Sequence, residues 1–267
     1  MMKLTLSIVR RQVGCGRALL AAKGGGMNLV GASRRVARRT FGIERLRHQQ
    51  ETAMVALLKG RDVLVALPTG FGKSLIYQIP AVLLERPTIV VSPLVALMAD
   101  QERALKSRGV PVIVLHSRLR AAERRAALER LESGGRLVVL TTPETLESRA
   151  ATSLFERARP ALLCVDEAHC ISEWGHDFRP SYLRLGAASE RLGSPPVLAL
   201  TATATPRVRT DIGRISSRPA SSSATRRAVL SSYRSRTSTT PRKSAMVRQQ
   251  NTRARRPSGS AARWRKR

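Results

Sequence analysis

Two short stretches hold residue types that could do phosphate chemistry together. In "LPTGFGKS" (67–74), Gly70 and Gly72 let backbone N–H groups come close to an anion. Lys73 adds a cation, and Ser74 a hydroxyl suited to magnesium. In "ALLCVDEAH" (161–169), Asp166 and Glu167 end an apolar run. One carboxylate can hold hydrated magnesium while its neighbour orients or deprotonates a water. Two acids in that place are costly unless a cation or solvent meets them. The plainer readings are a glycine turn that only joins strand to helix and a simple N-cap at Asp166. Taken together, the two stretches favour a site for a nucleoside triphosphate and Mg2+.

Such residues must be held by elements that bring distant segments to one place. Between Gly60 and Thr205 the chain repeats a short β-branched run, a loop and a helix-length stretch. The runs fall at 62–67, 88–92, 110–115, 136–141, 161–166 and 196–201. Their apolar character is continuous rather than alternating, which predicts strands covered on both faces in a mostly parallel sheet with helices on each side. Ligands then bind at the carboxyl ends of the strands, where the loops carry the unusual residues. A helix opening at Ser74 would aim its N-terminal dipole at the same phosphate.

The formal charge of +30 suggests a polyanionic partner, but its distribution decides its meaning. Residues 1–47 carry +10 and residues 212–267 carry +16, leaving only +4 for 48–211. The basicity thus belongs to the two ends. Residues 1–35 read as a flexible basic lead-in, with Met27 a possible start, 36–211 as the folded domain, and 212–267 as a disordered Ser/Arg-rich tail. Cys15, Cys164 and Cys170 lack the spacing of a disulfide framework or a four-thiolate zinc site, and His169, Cys170 and His176 have no fourth ligand at suitable spacing. No apolar run reaches the roughly 18 residues of a membrane span. A cytoplasmic protein without membrane contact is expected, at the nucleoid if bacterial.

Six stretches in order resemble the first motor domain of RecQ-family DNA helicases, a branch of helicase superfamily 2. They are "FGIERLRHQQ" (41–50), "LPTGFGKSLIYQIPA" (67–81), "VVSPLVALMADQ" (90–101), "TTPETL" (141–146), "VDEAHCISEWGHDFRPSY" (165–182) and "LALTATAT" (198–205). The resemblance covers about 41–211 and implies a RecA-like P-loop NTPase fold. It implies that Phe41, Arg47 and Gln50 recognise adenine and that Thr69, Gly70, Gly72, Lys73 and Ser74 hold the phosphates. Asp166, with Ser74, would hold Mg2+, and Glu167 would activate water. His169, Thr201 and Thr203 would relay the nucleotide state, and Ser92, Pro93, Leu94, Pro143 and Glu144 would face a DNA strand. Trp174, Phe178 and Arg179 would report DNA to the acids by stacking and cationic contact; packing at a subdomain boundary is the competing reading for the aromatics. Leu46 stands where the family usually has Phe, and Glu173 where it usually has Gln.

The activity implied is ATP hydrolysis coupled to 3′–5′ movement and unwinding of DNA, in repair or recombination. Family members need a second motor domain that supplies an arginine finger, which no stretch here resembles. Loss of such a finger costs about 10³–10⁵ in turnover, so this chain is expected to bind ATP and DNA but to hydrolyse slowly. The resemblance stops abruptly near Asp211, which suggests a shift of reading frame after "TATATPRVRTDI". Translating the other two frames tests that. A non-motor nucleic-acid binder that uses its basic tail, and an RNA-directed helicase of the same superfamily, are the alternatives. The residues do not name a protein partner.

Overall fold

All six apolar runs become strands within two residues of their expected limits. In the computed structural model, which describes residues 5–9, 28–173 and 177–216, one further strand precedes them. The strands are β1 Thr5–Val9, β2 Asp62–Ala66, β3 Thr88–Val91, β4 Val112–Leu115, β5 Val138–Thr141, β6 Leu162–Val165 and β7 Val197–Thr201. Among the described residues they form one sheet in the order β1-β2-β7-β6-β3-β5-β4. Every pairing is parallel except β1 with β2, which the sequence did not signal.

The helices are α1 Leu29–Phe41, α2 His48–Leu58, α3 Leu75–Leu83, α4 Val95–Lys106, α5 Ala121–Glu132, α6 Pro143–Leu146, α7 Arg149–Ala158, α8 Leu185–Arg191 and α9 Pro206–Ser216. Two of them cross the expected domain limits. Helix α1 begins inside the 1–35 lead-in, capped by Asn28, whose Oδ1 accepts from the Gly31 N–H at 2.9 Å. It forms because Ala32, Ser33, Ala37 and Phe41 bury one face while Arg34, Arg35, Arg38 and Arg39 stay in solvent. Helix α9 continues past 211 because Val208 and Ile212, one turn apart, are both buried. The rest of the 212–267 tail lies outside the described residues.

Alternation along the strands splits the core into two layers. Val63, Val65, Val90, Leu140, Cys164, Leu198 and Leu200 face a layer shared with α1, α2 and α3. Leu64, Ile89, Val91, Val139, Leu163, Val165, Val197 and Ala199 face the opposite layer, with residues of α5, α7, α8 and α9. Each Val, Leu or Ile among them contributes about 1.5–3 kcal/mol when fully buried. Asp62 pins one strand to its neighbour: its buried Oδ1 accepts from the Val197 N–H at 2.8 Å.

Register sets the functional end. Val91 pairs with Val165 and Thr141, and Val165 pairs with Ala199, so β3, β5 and β6 stop together. β7 runs on to Thr201, level with Ala66 at the end of β2. The loop after β2, the end of β7 and the acids after β6 are therefore side by side. No helix among the described residues is long and apolar enough to cross a membrane.

Candidate nucleotide and nucleic-acid site

The loop from Leu67 to Ser74 turns sharply because Gly70 and Gly72 adopt φ of 81° and 70°, values that burden any residue with a Cβ. A Cβ at Gly72 would also stand 2.8 Å from Gln50 Nε2 and oblige that amide to shift. Gln50, at the start of α2, uses its whole amide. Nε2 donates to the carbonyls of Phe71 and Gly72, both at 3.1 Å, and Oε1 accepts from the Arg47 N–H at 2.8 Å. The Arg47 guanidinium lies 4.4 Å from the centre of the Phe71 ring.

Of the three residues expected to recognise adenine, Arg47 and Gln50 meet the phosphate loop, and Phe41 ends α1 packed in the core. The aromatic face beside Arg47 belongs to Phe71. The sequence contained Phe71 in the glycine loop but gave no sign that a residue 24 positions earlier would lie over it.

Lys73 folds its ammonium back inside the loop and donates to the carbonyls of Leu67 at 2.9 Å and Pro68 at 3.2 Å. Ser74 precedes the first turn of α3, and Thr69 is exposed at the loop's crest. The backbone N–H groups of this turn and the Lys73 ammonium are suited to phosphate oxygens.

The acids sit across β7 from this loop. Burial, with the Glu167 charge beside it, raises the Asp166 carboxyl to about 6. Its Oδ1 accepts from the Glu167 N–H at 3.0 Å, so it does not act as a plain helix cap. Glu167 holds a left-handed backbone, φ 46° and ψ 47°, which costs an L residue about 1 kcal/mol or more. That conformation turns its carboxylate towards His169, with Oε2 3.3 Å from Nδ1. The hydrogen bond with His169 is the main reason that Glu167 titrates below its usual range.

His169 links the acids to β7. Its Nδ1 also lies 3.2 Å from Thr201 Oγ1. The Thr201 hydroxyl donates to the Thr203 carbonyl at 2.8 Å and accepts from the Thr203 N–H at 3.1 Å. With the hydroxyl proton committed to Thr203, and Glu167 ionised, both contacts of Nδ1 require the proton to sit on that nitrogen. Cys170 and then Glu167 raise His169 to about 10, which keeps the ring a donor at neutral pH. Glu167, His169, Thr201 and Thr203 thus form one connected chain.

A second group of loops continues along the same end of the sheet. Ser92, buried after β3, accepts from the Leu94 N–H at 3.5 Å, and Leu94 is 44% exposed. After β5, Thr142 caps α6, with Pro143 buried and Glu144 in solvent. The segment following the acids ties these loops together. Arg179 Nη1 donates to the Pro93 carbonyl at 3.1 Å, and Ser181 Oγ donates to Glu144 Oε1 at 2.8 Å. Tyr182, buried, donates to the Asp166 carbonyl at 3.2 Å.

Sequence reasoning gave no role to Ser181 and Tyr182; only their place at the end of the aromatic segment hinted at one. Phe178 is half-buried beside Arg179. Trp174 lies outside the described residues, as does His176.

The family model for DEAD/DEAH box helicases matches residues 47–212. Rat ATP-dependent DNA helicase Q5 is 48% identical over 187 residues, 67% of this chain and 19% of the relative. The probable ATP-dependent DNA helicase RecS of Bacillus subtilis is 43% identical over 64% of this chain and 34% of its own length. ATP-dependent DNA helicase RecQ of Pasteurella multocida is 41% identical over 65% and 28%. The chain therefore spans between a fifth and about a third of these relatives. Among solved structures, a hypothetical ATP-dependent RNA helicase from Sulfolobus tokodaii aligns with a TM-score of 0.53 and 18% identity over 68% of this chain and 54% of that one. The DUF1998 helicase MrfA bound to DNA and AMPPNP gives 0.52 and 21% over 80% and 31%. These two likenesses show a shared RecA-like helicase fold.

Proposed function

The chain belongs to the DEAD/DEAH box helicase family, with RecQ-type DNA helicases among its relatives, and from that premise we propose that it is an ATP-driven motor domain acting on DNA. The observation that carries the proposal is the meeting of Lys73, Asp166, Glu167 and the His169–Thr201 link at three neighbouring strand ends.

The residues fit ATP with Mg2+. A buried carboxylate whose affinity for protons is raised is a carboxylate in need of a cation, and Asp166 is one. Asp166 and Ser74 would hold the magnesium, which when bound neutralises charge on the terminal phosphates. Lys73 would exchange the Leu67 and Pro68 carbonyls for phosphate oxygens. Arg47 would receive the adenine, and Gln50 would give up a loop carbonyl for the base edge. Glu167, ionised and oriented by His169, would position the attacking water and take its proton.

The loops bearing Ser92, Pro93, Pro143 and Glu144 would face a single strand, with Phe178 and Arg179 beside them, and Trp174 would join them as a stacking surface. Strand occupancy would reach Glu167 through the segment that runs from Arg179 to Tyr182. Coupled 3′–5′ movement and strand separation are proposed for the activity this domain serves, in DNA repair or recombination.

ATP hydrolysis measured with and without single-stranded DNA tests the proposal. Hydrolysis that DNA stimulates and Lys73→Ala abolishes supports it. Stimulation by RNA in place of DNA redirects it to an RNA substrate. Nucleic-acid binding that survives Lys73→Ala and vanishes on removing residues 212–267, without DNA-dependent hydrolysis, overturns it in favour of a basic-tail binder.

A further inference from the structure

Arg34 lies on α1, upstream of every stretch with assignable chemistry. Its guanidinium grips Glu51 with two parallel hydrogen bonds, Nε to Oε1 at 2.6 Å and Nη2 to Oε2 at 2.9 Å. Glu51 is in the first turn of α2, directly after Gln50, and its side chain is only 15% exposed. Arg34 is the main cause of the lowered titration of Glu51, so the pair is fully ionised at neutral pH.

The two sides of this turn have different neighbours. One is fastened to α1 through Glu51. The other presses on the phosphate loop, where the Gln50 amide holds the Phe71 and Gly72 carbonyls and the Arg47 backbone. Clearance there is small, since a single added Cβ at Gly72 would collide with Gln50 Nε2. A slight rotation of the turn therefore changes where Gln50 and Arg47 point.

We infer that Arg34 is a positioning residue for base discrimination, setting through Glu51 the orientation of the α2 turn that presents Gln50 and Arg47. The inference rests on the proposal that those two residues receive adenine. Arg34 is 57% exposed, and an ion pair so open to solvent adds little to stability. A planar fork matched to a carboxylate fixes direction better than it supplies energy, and a lysine cannot reproduce both bonds.

The test is the affinity of the full chain for ATP and for GTP, measured by displacement of a fluorescent nucleotide. Arg34→Ala should weaken ATP about fivefold, the worth of roughly one hydrogen bond, and leave GTP unchanged, so the ATP/GTP ratio falls by the same factor. Arg34→Lys should fall between. Exchanging the charges, Arg34→Glu with Glu51→Arg, should recover most of the ratio. An unchanged ratio in Arg34→Ala overturns the inference, whatever happens to the melting temperature. Gln50→Ala separates the two ideas. If it lowers the ratio and Arg34→Ala does not, the inference alone fails; if neither does, the adenine assignment fails with it.

Discussion

The two halves of the site are built differently. At the proposed nucleotide end, Lys73 and Glu167 find their partners within six residues, on the same strand end, His169 reaches Thr201 on the adjacent one, and Asp166 is buried among them. At the strand-facing end, partners come from far along the chain: Arg179 reaches Pro93 across 86 positions and Ser181 reaches Glu144 across 37. Sheet register brings the first group's strand ends together, and short local bonds do the rest. The second depends on side chains of one segment holding loops that the sheet merely places nearby. If the first holds the chemistry, as proposed, the second is a set of latches whose loss should disturb coupling before chemistry.

Four substitutions test that division. Glu167→Gln should reduce turnover by about 10²–10⁴ while ATP binding persists, because only proton transfer and water orientation are removed. Turnover within tenfold of the parent protein would show that the acids do not hold the chemistry. Arg179→Ala removes a charge-assisted bond worth roughly 1.5–3 kcal/mol, and should cut DNA stimulation about tenfold or more while DNA-free hydrolysis is kept. Equal loss of both rates would erase the distinction between the two halves.

Asp166 gives a smaller effect with a definite sign. Its carboxyl titrates at about 6 in the folded chain against an ordinary 3.8, so the metal-free protein loses stability as pH rises from about 4 through 6. Asp166→Asn should be more stable at pH 7, by up to about 3 kcal/mol, and the advantage should vanish near pH 4. Coincident melting at pH 7 would refute the burial argument. In the parent protein, magnesium-dependent ATP affinity should fall as pH drops below about 6, where protons compete for the site. Tyr182→Phe should cost about 1 kcal/mol in thermal stability and reduce DNA stimulation more than basal hydrolysis. A loss of stability with stimulation intact would make Tyr182 a core residue only.

The parallel sheet and its strand limits were legible because continuous apolar runs admit few other solutions, and the phosphate loop and acids were legible because few residue types serve that chemistry. Phe71, Ser181 and Tyr182 were opaque for the opposite reason. An aromatic ring, a serine or a tyrosine has many ordinary uses, and only the packing of α2 on the loop, or of the segment after Arg179 on three strand ends, gives each its task. Phe41 occupies its motif position with its side chain packed in the core. The missed start of α1 has a compositional cause. Four arginines on one helical face look like a charged tail unless the small residues between them are seen to form a buried stripe.

Strand β1 also protects its neighbour. By pairing with Asp62–Ala66 it satisfies the outer N–H and C=O groups of β2. A variant lacking residues 1–27 would lose that cover and present a bare, apolar sheet margin. Such a variant should self-associate through strand addition.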